Sequence, residues 1–236
     1  MKLAVTMIVL NNEDTLLACL KSLHGLANHV TIVDGGSQDE TLNIIHRQKG
    51  ILNIKLVEHK WPGHFALQRQ VSFDHAPRGE EWWWMRIDSD EIFPARYKSW
   101  FRQALRNLPP EIVAVRVKQY NIVSDKSHYA ASHGGWETWP RVWRADERLR
   151  WVGQVHEHVM KLSGGQLIEF LDDEIADFNV GILHLGWLDE KRLAEKESQY
   201  LSMYGSGFEK PGDLTGRKYA VRRLPSCYVE EELLWQ

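Results

Sequence analysis

Four short apolar runs, separated by segments of helical periodicity, constrain this chain more than any other feature of it. Lys2–Leu10 is nearly continuous in apolar and β-branched residues, as expected of a strand covered on both faces. Asn11 and Asn12 then offer N-cap chemistry, and Leu16, Leu17, Leu20 and Leu23 fall on one helical face. His29–Val33 reads as a second strand, broken by Asp34-Gly35-Gly36. Ser37, with Glu40 three residues on, has the form of a capping box that opens a helix around Asp39–Gln48. Asn53–Val57 is a third strand, Phe65–His75 a helix and Trp82–Ile87 a fourth strand. Strands alternating with helices predict an α/β fold, with a central, mostly parallel sheet flanked by helices.

The second half follows a different pattern. Pro94 suits the first turn of a helix running to about Asn107, stopped by Pro109-Pro110. Glu111–Tyr120 alternates, with Val113, Val115 and Val117 on one face and Arg116 and Lys118 on the other, as in a half-exposed strand. Tyr129–Trp139, rich in Gly, His, Ser and aromatic residues, reads as a functional loop. Arg141–Arg144 and Arg150–Val152 are strand candidates, and Asp189–Tyr204 is a charged amphipathic helix. Residues 205–236 read as a tail that wraps the body or contacts a partner.

A chain of 236 residues, 43% of them hydrophobic, can bury one sizeable core. Its formal charge of −3 gives no broad electrostatic reason to bind nucleic acid or an anionic membrane. No apolar run approaches the length of a transmembrane segment, and MKLAVTMIVL runs directly into polar NNED, as a first strand does and a signal peptide does not. Cys19 and Cys227 lie far apart, and Cys19 falls on the buried face of its helix. A reducing, cytoplasmic setting is therefore expected.

In an open α/β sheet, ligands bind beyond the carboxyl ends of the strands. Three polar clusters stand at such ends: Asn11-Asn12-Glu13, Asp34-Gly35-Gly36-Ser37 and Asp88-Ser89-Asp90-Glu91. The first can be only a helix cap, the second only a tight turn, and the third only an acidic helix start. Three acids crowded at one strand end repel one another unless a cation compensates. In extended chain Asp88 and Asp90 project to the same side, and Mg²⁺ or Mn²⁺ takes carboxylate together with phosphate oxygens. Neither a P-loop nor a G-x-G-x-x-G fingerprint is present, so bound phosphate would depend on metal and Arg.

Taken in order, VLNNE, TIVDGGSQDET, GHFALQRQ and WWWMRIDSDEIF resemble the family 2 glycosyltransferases of GT-A fold. The later RVWRADERLRWVGQVHEHV and ILHLGW are similar to a bacterial branch that modifies lipopolysaccharide or other glycans. The resemblance implies a single catalytic domain over 1–204, with a nucleotide-binding half at 1–93 and an acceptor-side half at 94–204. It implies metal-dependent transfer, with Mn²⁺ or Mg²⁺, of a sugar from a nucleotide-diphosphate sugar, UDP foremost. The acceptor would be a glycan, a lipid-linked saccharide or another hydroxyl compound. Asp34 would bond the base, with Val9 and Asn11 as the pocket wall. Val9 stands where the family carries Pro, and Asn11 where it carries Tyr. Arg69 would reach the base or diphosphate. Asp88, with Ser89 beside it, would contact the ribose or a metal-bound water. Asp90 would ligate the metal directly, and His184 would approach the diphosphate or complete the metal shell.

An inverting transferase also needs a carboxylate base near the acceptor hydroxyl. Glu157 is the first choice because it matches the family's Val-His-Glu motif; Asp172, Asp173 and Glu137 are weaker candidates, and a surface ion pair is the plain alternative for Glu157. Without such a base, the leaving phosphate would take the proton and configuration would be retained. His156, beside Glu157, is a candidate for phosphate or metal. Trp136 and Trp139 are candidates for stacking on a sugar face or for packing under the loop. Trp187 would shape the pocket near His184, and Trp82, Trp83 and Trp84 read as core. Lys191, Arg192 and Lys196 read as a solvated face. Two other readings compete: a nucleotidyltransferase, which would carry a Gly- and Arg-rich loop after the first strand, and a catalytically silent sugar-nucleotide or glycan-binding module.

Overall fold

The first strand, β1 (Lys2–Val9), lies in the interior of a sheet because both of its faces are apolar. It pairs in parallel with β2 (His29–Asp34) on one edge and β4 (Trp82–Arg86) on the other. β3 (Ile54–Glu58) extends the parallel set beyond β2. The computed structural model describes residues 1–122, 128–132, 138–154, 157–186, 219–223 and 228. The crossovers are α1 (Leu16–Leu23), α2 (Thr41–Gln48) and α3 (Phe65–His75). The α/β reading of this half holds, and α3 has the bounds that the sequence suggests.

The two faces of β4 bury different aromatic residues, as expected for a strand covered on both sides. Trp83 joins the main core with Leu3, Val5, Leu20, Phe93 and Phe101. Trp84 joins a second cluster beneath α3, where its ring lies 4.7 Å from that of Phe73. Phe73 also meets Trp143 at 5.8 Å and Trp151 at 5.4 Å. Truncating a ring so enclosed costs about 3–5 kcal/mol. Leu17 departs from the expected apolar face of α1: it is 38% exposed.

The second half turns the sheet antiparallel. β5 (Glu91–Ile92) is followed by a 3-10 turn at Ala95–Tyr97, and α4 (Lys98–Asn107) begins after it, so Pro94 precedes a 3-10 turn rather than the α-helix itself. Next come β6 (Ala114–Ile122), β7 (His128–Ser132) and β8 (Thr138–Arg144). The Tyr129–Trp139 segment, expected as a loop, thus begins in one strand and ends in another. β8 pairs antiparallel with β4 and β6, which joins the two halves. β9 (Leu149–Val152), β10 (His158–Ser163) and β11 (Gln166–Ile168) form a separate three-stranded sheet. β12 (Ile175–His184) returns parallel to β6, and its last two residues pair with β5. β13 (Tyr219–Arg223), from the segment expected as a tail, pairs with β7. The described part of the main sheet holds ten strands.

Two irregularities aim side chains. Between Val115 and Arg116 of β6 the β8 partners step from Val142 to Pro140, so Arg141 is the extra residue of a bulge and turns fully inward. On β12 the register shifts between Phe178 and Gly181. A Cβ on Gly181 would stand 2.1 Å from the Tyr120 ring, so glycine is required there for space. The Gly181 N–H donates to the Tyr228 hydroxyl at 2.7 Å, which ties a residue near the C-terminus to the body. No helix among the described residues is long and apolar enough to cross a membrane.

Candidate active site

Because β1, β2 and β4 are parallel and in register, their carboxyl ends share one edge of the sheet. The loops after β1 and β2 are laced together there. Asn11, in the left-handed region at φ 53° that Asn tolerates, accepts from Gln38 N at 2.8 Å through Oδ1 and donates its own N–H to Ser37 Oγ at 3.0 Å. Asn12 donates its N–H to Thr41 Oγ1 at 2.8 Å, while its Oδ1 accepts from Leu10 N at 2.8 Å. The two Asn side chains therefore build the strand-end loops instead of capping α1. The expected capping box is also absent: Asp39 Oδ1 accepts the Thr41 N–H at 3.0 Å, and Glu40, the N-cap residue of α2, makes no side-chain cap bond.

Asp34 is buried, and its carboxylate accepts from Gly36 N at 2.8 Å, Ser37 N at 3.0 Å and Ser37 Oγ at 2.5 Å. It closes its own turn, and Gly36 takes the φ of 102° that this turn requires. A nucleobase donor reaching Asp34 would displace the Ser37 hydroxyl, the rotatable one of these donors. Val9 is buried, and its carbonyl accepts the Gly35 N–H at 2.8 Å.

The chain does not stay extended through Asp88 and Asp90. A turn, with Glu91 N donating to Asp88 O at 3.0 Å, sends the three acids to different partners. Asp88 pairs with Arg69 at 2.7 Å and Arg86 at 3.4 Å. Glu91, almost wholly buried, accepts from Arg141 Nη1 at 2.7 and 2.8 Å and from Asp88 N at 2.9 Å. Asp90 Oδ2 lies 3.3 Å from His184 Nε2, while Leu185 N donates to the Asp90 carbonyl at 2.8 Å. The expectation that a cation compensates all three acids is thus corrected: guanidinium groups compensate Asp88 and Glu91. Burial raises the Asp88 pKa, but Arg69, Arg86 and Arg141 more than offset this and hold it well below the usual carboxylate range.

Arg69 is clamped rather than extended toward solvent. Its Nη1 meets Asp88 at 2.7 Å, its Nε meets Glu157 at 2.6 Å, and its guanidinium lies 5.4 Å from the centre of the Trp151 ring. Burial works against its charge, and the two carboxylates beside it outweigh burial, so its pKa is raised. Burial likewise pushes Glu157 up, and Arg69 and Arg86 bring it below its ordinary value. Glu157 is therefore a largely buried ion-pair member that stays ionised at neutral pH. His158 turns elsewhere, to Glu169 at 3.3 Å. Asp172 and Asp173 are exposed on a 3-10 turn, where Asp172 pairs with Arg116 at 3.1 Å. Ser89 is buried, and Trp139 is half-buried opposite Val117. Glu137, Trp136, His156, Trp187, the 189–204 helix with Lys191, Arg192 and Lys196, and Cys227 lie outside the described residues. Cys19 is free and buried, its Sγ 3.4 Å from the Asp88 carbonyl.

Sequence reasoning missed Arg86, Arg141, Gln119 and Asn121. His184 Nδ1 lies 2.8 Å from Asn121 Oδ1, which also accepts from Gln119 Nε2 at 2.7 Å. Gln119 Oε1 in turn accepts from Arg141 Nη2. In the sheet His184 stands between Asn121 and Glu91 as their register partner, and with Arg141 of β8 the polar group is assembled across four strands. The available signal was a polar residue inside an apolar strand: Arg86 between Met85 and Ile87, and Arg141 next to Val142 and Trp143.

Asp90 and His184 suit a divalent cation such as Mn²⁺. Two donors at right angles about a cation at about 2.1 Å stand roughly 3 Å apart, close to the observed separation. No group of three or more His, Cys, Asp and Glu side chains arranged to hold a metal occurs among the described residues. Phosphate or water oxygens would complete such a shell.

The strand order, with its parallel half and polar strand-end loops, is that of the GT-A fold. S. aureus TarS 1–349 superimposes with a TM-score of 0.52 at 14% identity, over 85% of this chain and 66% of that one. Glucosyl-3-phosphoglycerate synthase from Mycobacterium tuberculosis, in complex with Mn²⁺, UDP and glucosyl-3-phosphoglycerate, gives 0.50 at 17% identity, over 95% and 87%. The glycosyl transferase family 2 profile matches residues 4–169, and the chain belongs to that family. SPbeta prophage-derived glycosyltransferase SunS of Bacillus subtilis (strain 168) is 24% identical over 182 residues, 76% of this chain. The match spans 38% of that relative's length.

Proposed function

We propose that this chain transfers a sugar from a nucleoside-diphosphate sugar, with UDP as the nucleotide, to a hydroxyl group of a glycan or lipid-linked saccharide. The observation that carries this reading is the Asp90–His184 pair, 3.3 Å apart, in a family 2 chain at the sheet's ligand-binding edge. Structures of TarS 1–349 with UDP and with UDP-GlcNAc, and of glucosyl-3-phosphoglycerate synthase with Mn²⁺ and UDP, support the choice of nucleotide and metal.

In this reading Val9, Asn11 and the Asp34 turn receive the nucleoside, and Ser89 lies beside the bound nucleotide. Asp90 and His184 would hold Mn²⁺ or Mg²⁺, which when bound would supply positive charge to offset that developing on the diphosphate. Arg69 and Arg86 fix Asp88 toward the ribose. Glu157 takes the acceptor proton and the reaction inverts the sugar carbon. Its ion pair with Arg69 keeps it ionised but makes it a weaker base than a solitary carboxylate. The free, buried Cys19 is consistent with a cytoplasmic setting.

Calorimetric titration with UDP, GDP, CDP and dTDP, each with Mn²⁺ and with EDTA, tests the reading. UDP should bind with Mn²⁺ and lose affinity with EDTA or in Asp90→Ala. If no nucleotide binds under any condition, the reading fails.

A further inference from the structure

We propose that Arg141, Gln119 and Asn121 form a directional hydrogen-bond relay that holds His184 in its Nδ1–H form, leaving Nε2 as a bare lone pair facing Asp90. The inference deepens the metal-assisted reading above and rests on it only for the purpose of the lone pair. The three are positioning residues and act through His184.

The direction follows from what each group is able to do. A guanidinium donates and never accepts, so Arg141 Nη2 requires the oxygen of Gln119 on its side. That places the Gln119 amide nitrogen toward Asn121, where it donates to Oδ1 at 2.7 Å. Asn121 Oδ1 is an acceptor, so the imidazole Nδ1 at 2.8 Å from it must be the donor. A neutral imidazole carries one N–H, and Nε2 is then an acceptor. It stands 3.3 Å from a carboxylate oxygen of Asp90, which is also an acceptor. With the ring neutral these are two acceptors turned toward each other, an arrangement that a cation between them stabilises.

The far end of the relay is anchored. Arg141 is fully buried, turned inward by the β8 bulge, and held by Glu91 at 2.7 Å. Glu91 is a register neighbour of His184 on β5, and Arg141 comes from β8, which pairs with the β6 strand that carries Gln119 and Asn121. A relay ending in water, which both donates and accepts, would leave the amides free to flip. Arg cannot lose its proton, so the polarity is permanent.

Gln119→Glu tests this with nearly the same shape. The introduced carboxylate still accepts from Arg141 but offers Asn121 an oxygen, so the Asn121 amide should flip and present its NH₂ to His184. The ring should then change to the Nε2–H form. We would record long-range ¹H–¹⁵N spectra of the metal-free protein at pH 8.5, above the ordinary histidine range, assigning His184 by its loss in His184→Gln. Wild type should show Nδ1–H, and Gln119→Glu should show Nε2–H. Mn²⁺ affinity, read from the free-ion electron paramagnetic resonance signal, should fall about 10–100-fold in Gln119→Glu. A simple charge effect would have the opposite sign, because the substitution adds a negative charge near the cation. Gln119→Leu, which removes the constraint without reversing it, should give a mixture of the two forms. An Nε2–H ring in wild type, or an unchanged ring in Gln119→Glu, overturns the relay. If the ring inverts while wild type takes up no Mn²⁺, the relay stands and the metal reading fails.

Discussion

Replacing Glu91 with Gln keeps the side chain's shape and one acceptor oxygen, and removes the charge against which Arg141 is buried. Both side chains are almost completely inaccessible, at 0% for Arg141 and 1% for Glu91, and the closest approach is 2.7 Å. Breaking such a pair from one side leaves an uncompensated buried charge, which costs about 3–5 kcal/mol. For a chain of this size each kcal/mol shifts Tm by about 2–4 °C, so Glu91→Gln should melt roughly 6–20 °C below wild type. Differential scanning calorimetry at pH 7 reads the shift directly. The double variant Glu91→Leu/Arg141→Met removes both charges and should recover much of the loss, because a buried ion pair and a well-packed apolar pair are often nearly equivalent. A Tm drop under about 2 °C in Glu91→Gln would show that water or another group carries the compensation, and that Arg141 is not what neutralises Glu91.

Gly181→Ala brings a methyl against the Tyr120 ring, itself packed between Tyr129 and Tyr228 at 4.7 and 5.1 Å, and should destabilise by about 1–3 kcal/mol in urea titration. An unchanged midpoint would mean that the aromatic cluster yields without cost. Asp39→Ala removes acceptors of the Thr41 and Glu13 amides, each bonded at 3.0 Å, and should lower stability by about 1 kcal/mol, whereas Glu40→Ala should change it by less, the reverse of what a capping box predicts. The pKa of Glu157 is below its ordinary value of 4.5 in the folded chain, so its ion pair contributes stability that is complete above that pH and is lost as pH falls through the lower folded value. The acid limb of a stability–pH curve should accordingly flatten in Glu157→Gln, and an identical acid limb would count against the Arg69 pairing.

The halves of the chain differ in how far the sequence announces them, and the cause is the range of the interactions. β1 to β4 and α1 to α3 follow from short apolar runs set between segments of helical pattern, which neighbours in sequence supply. Tyr129–Trp139 misled because its Gly, His and Ser content outweighs its strand ends, and β12 carried no alternation strong enough to declare it. Asp34, Asp88 and Asp90 were legible as polar groups at strand ends, and Arg69 and His184 through the family resemblance, but their partners were not. Arg69 meets Glu157 across 88 residues of sequence, His184 meets Asn121 across 63, and Arg141 meets Glu91 across 50.

What the sequence alone determined was the α/β alternation of its first half and the placing of three polar clusters at strand ends, since each depends on residues close together along the chain. What only the tertiary structure decided was the charge state of the site. A carboxylate's partner depends on which distant strand the sheet brings beside it. α3 and β4 put Arg69 and Arg86 against Asp88, the β8 bulge put Arg141 against Glu91, and the β5–β12–β6 register left His184 facing Asp90.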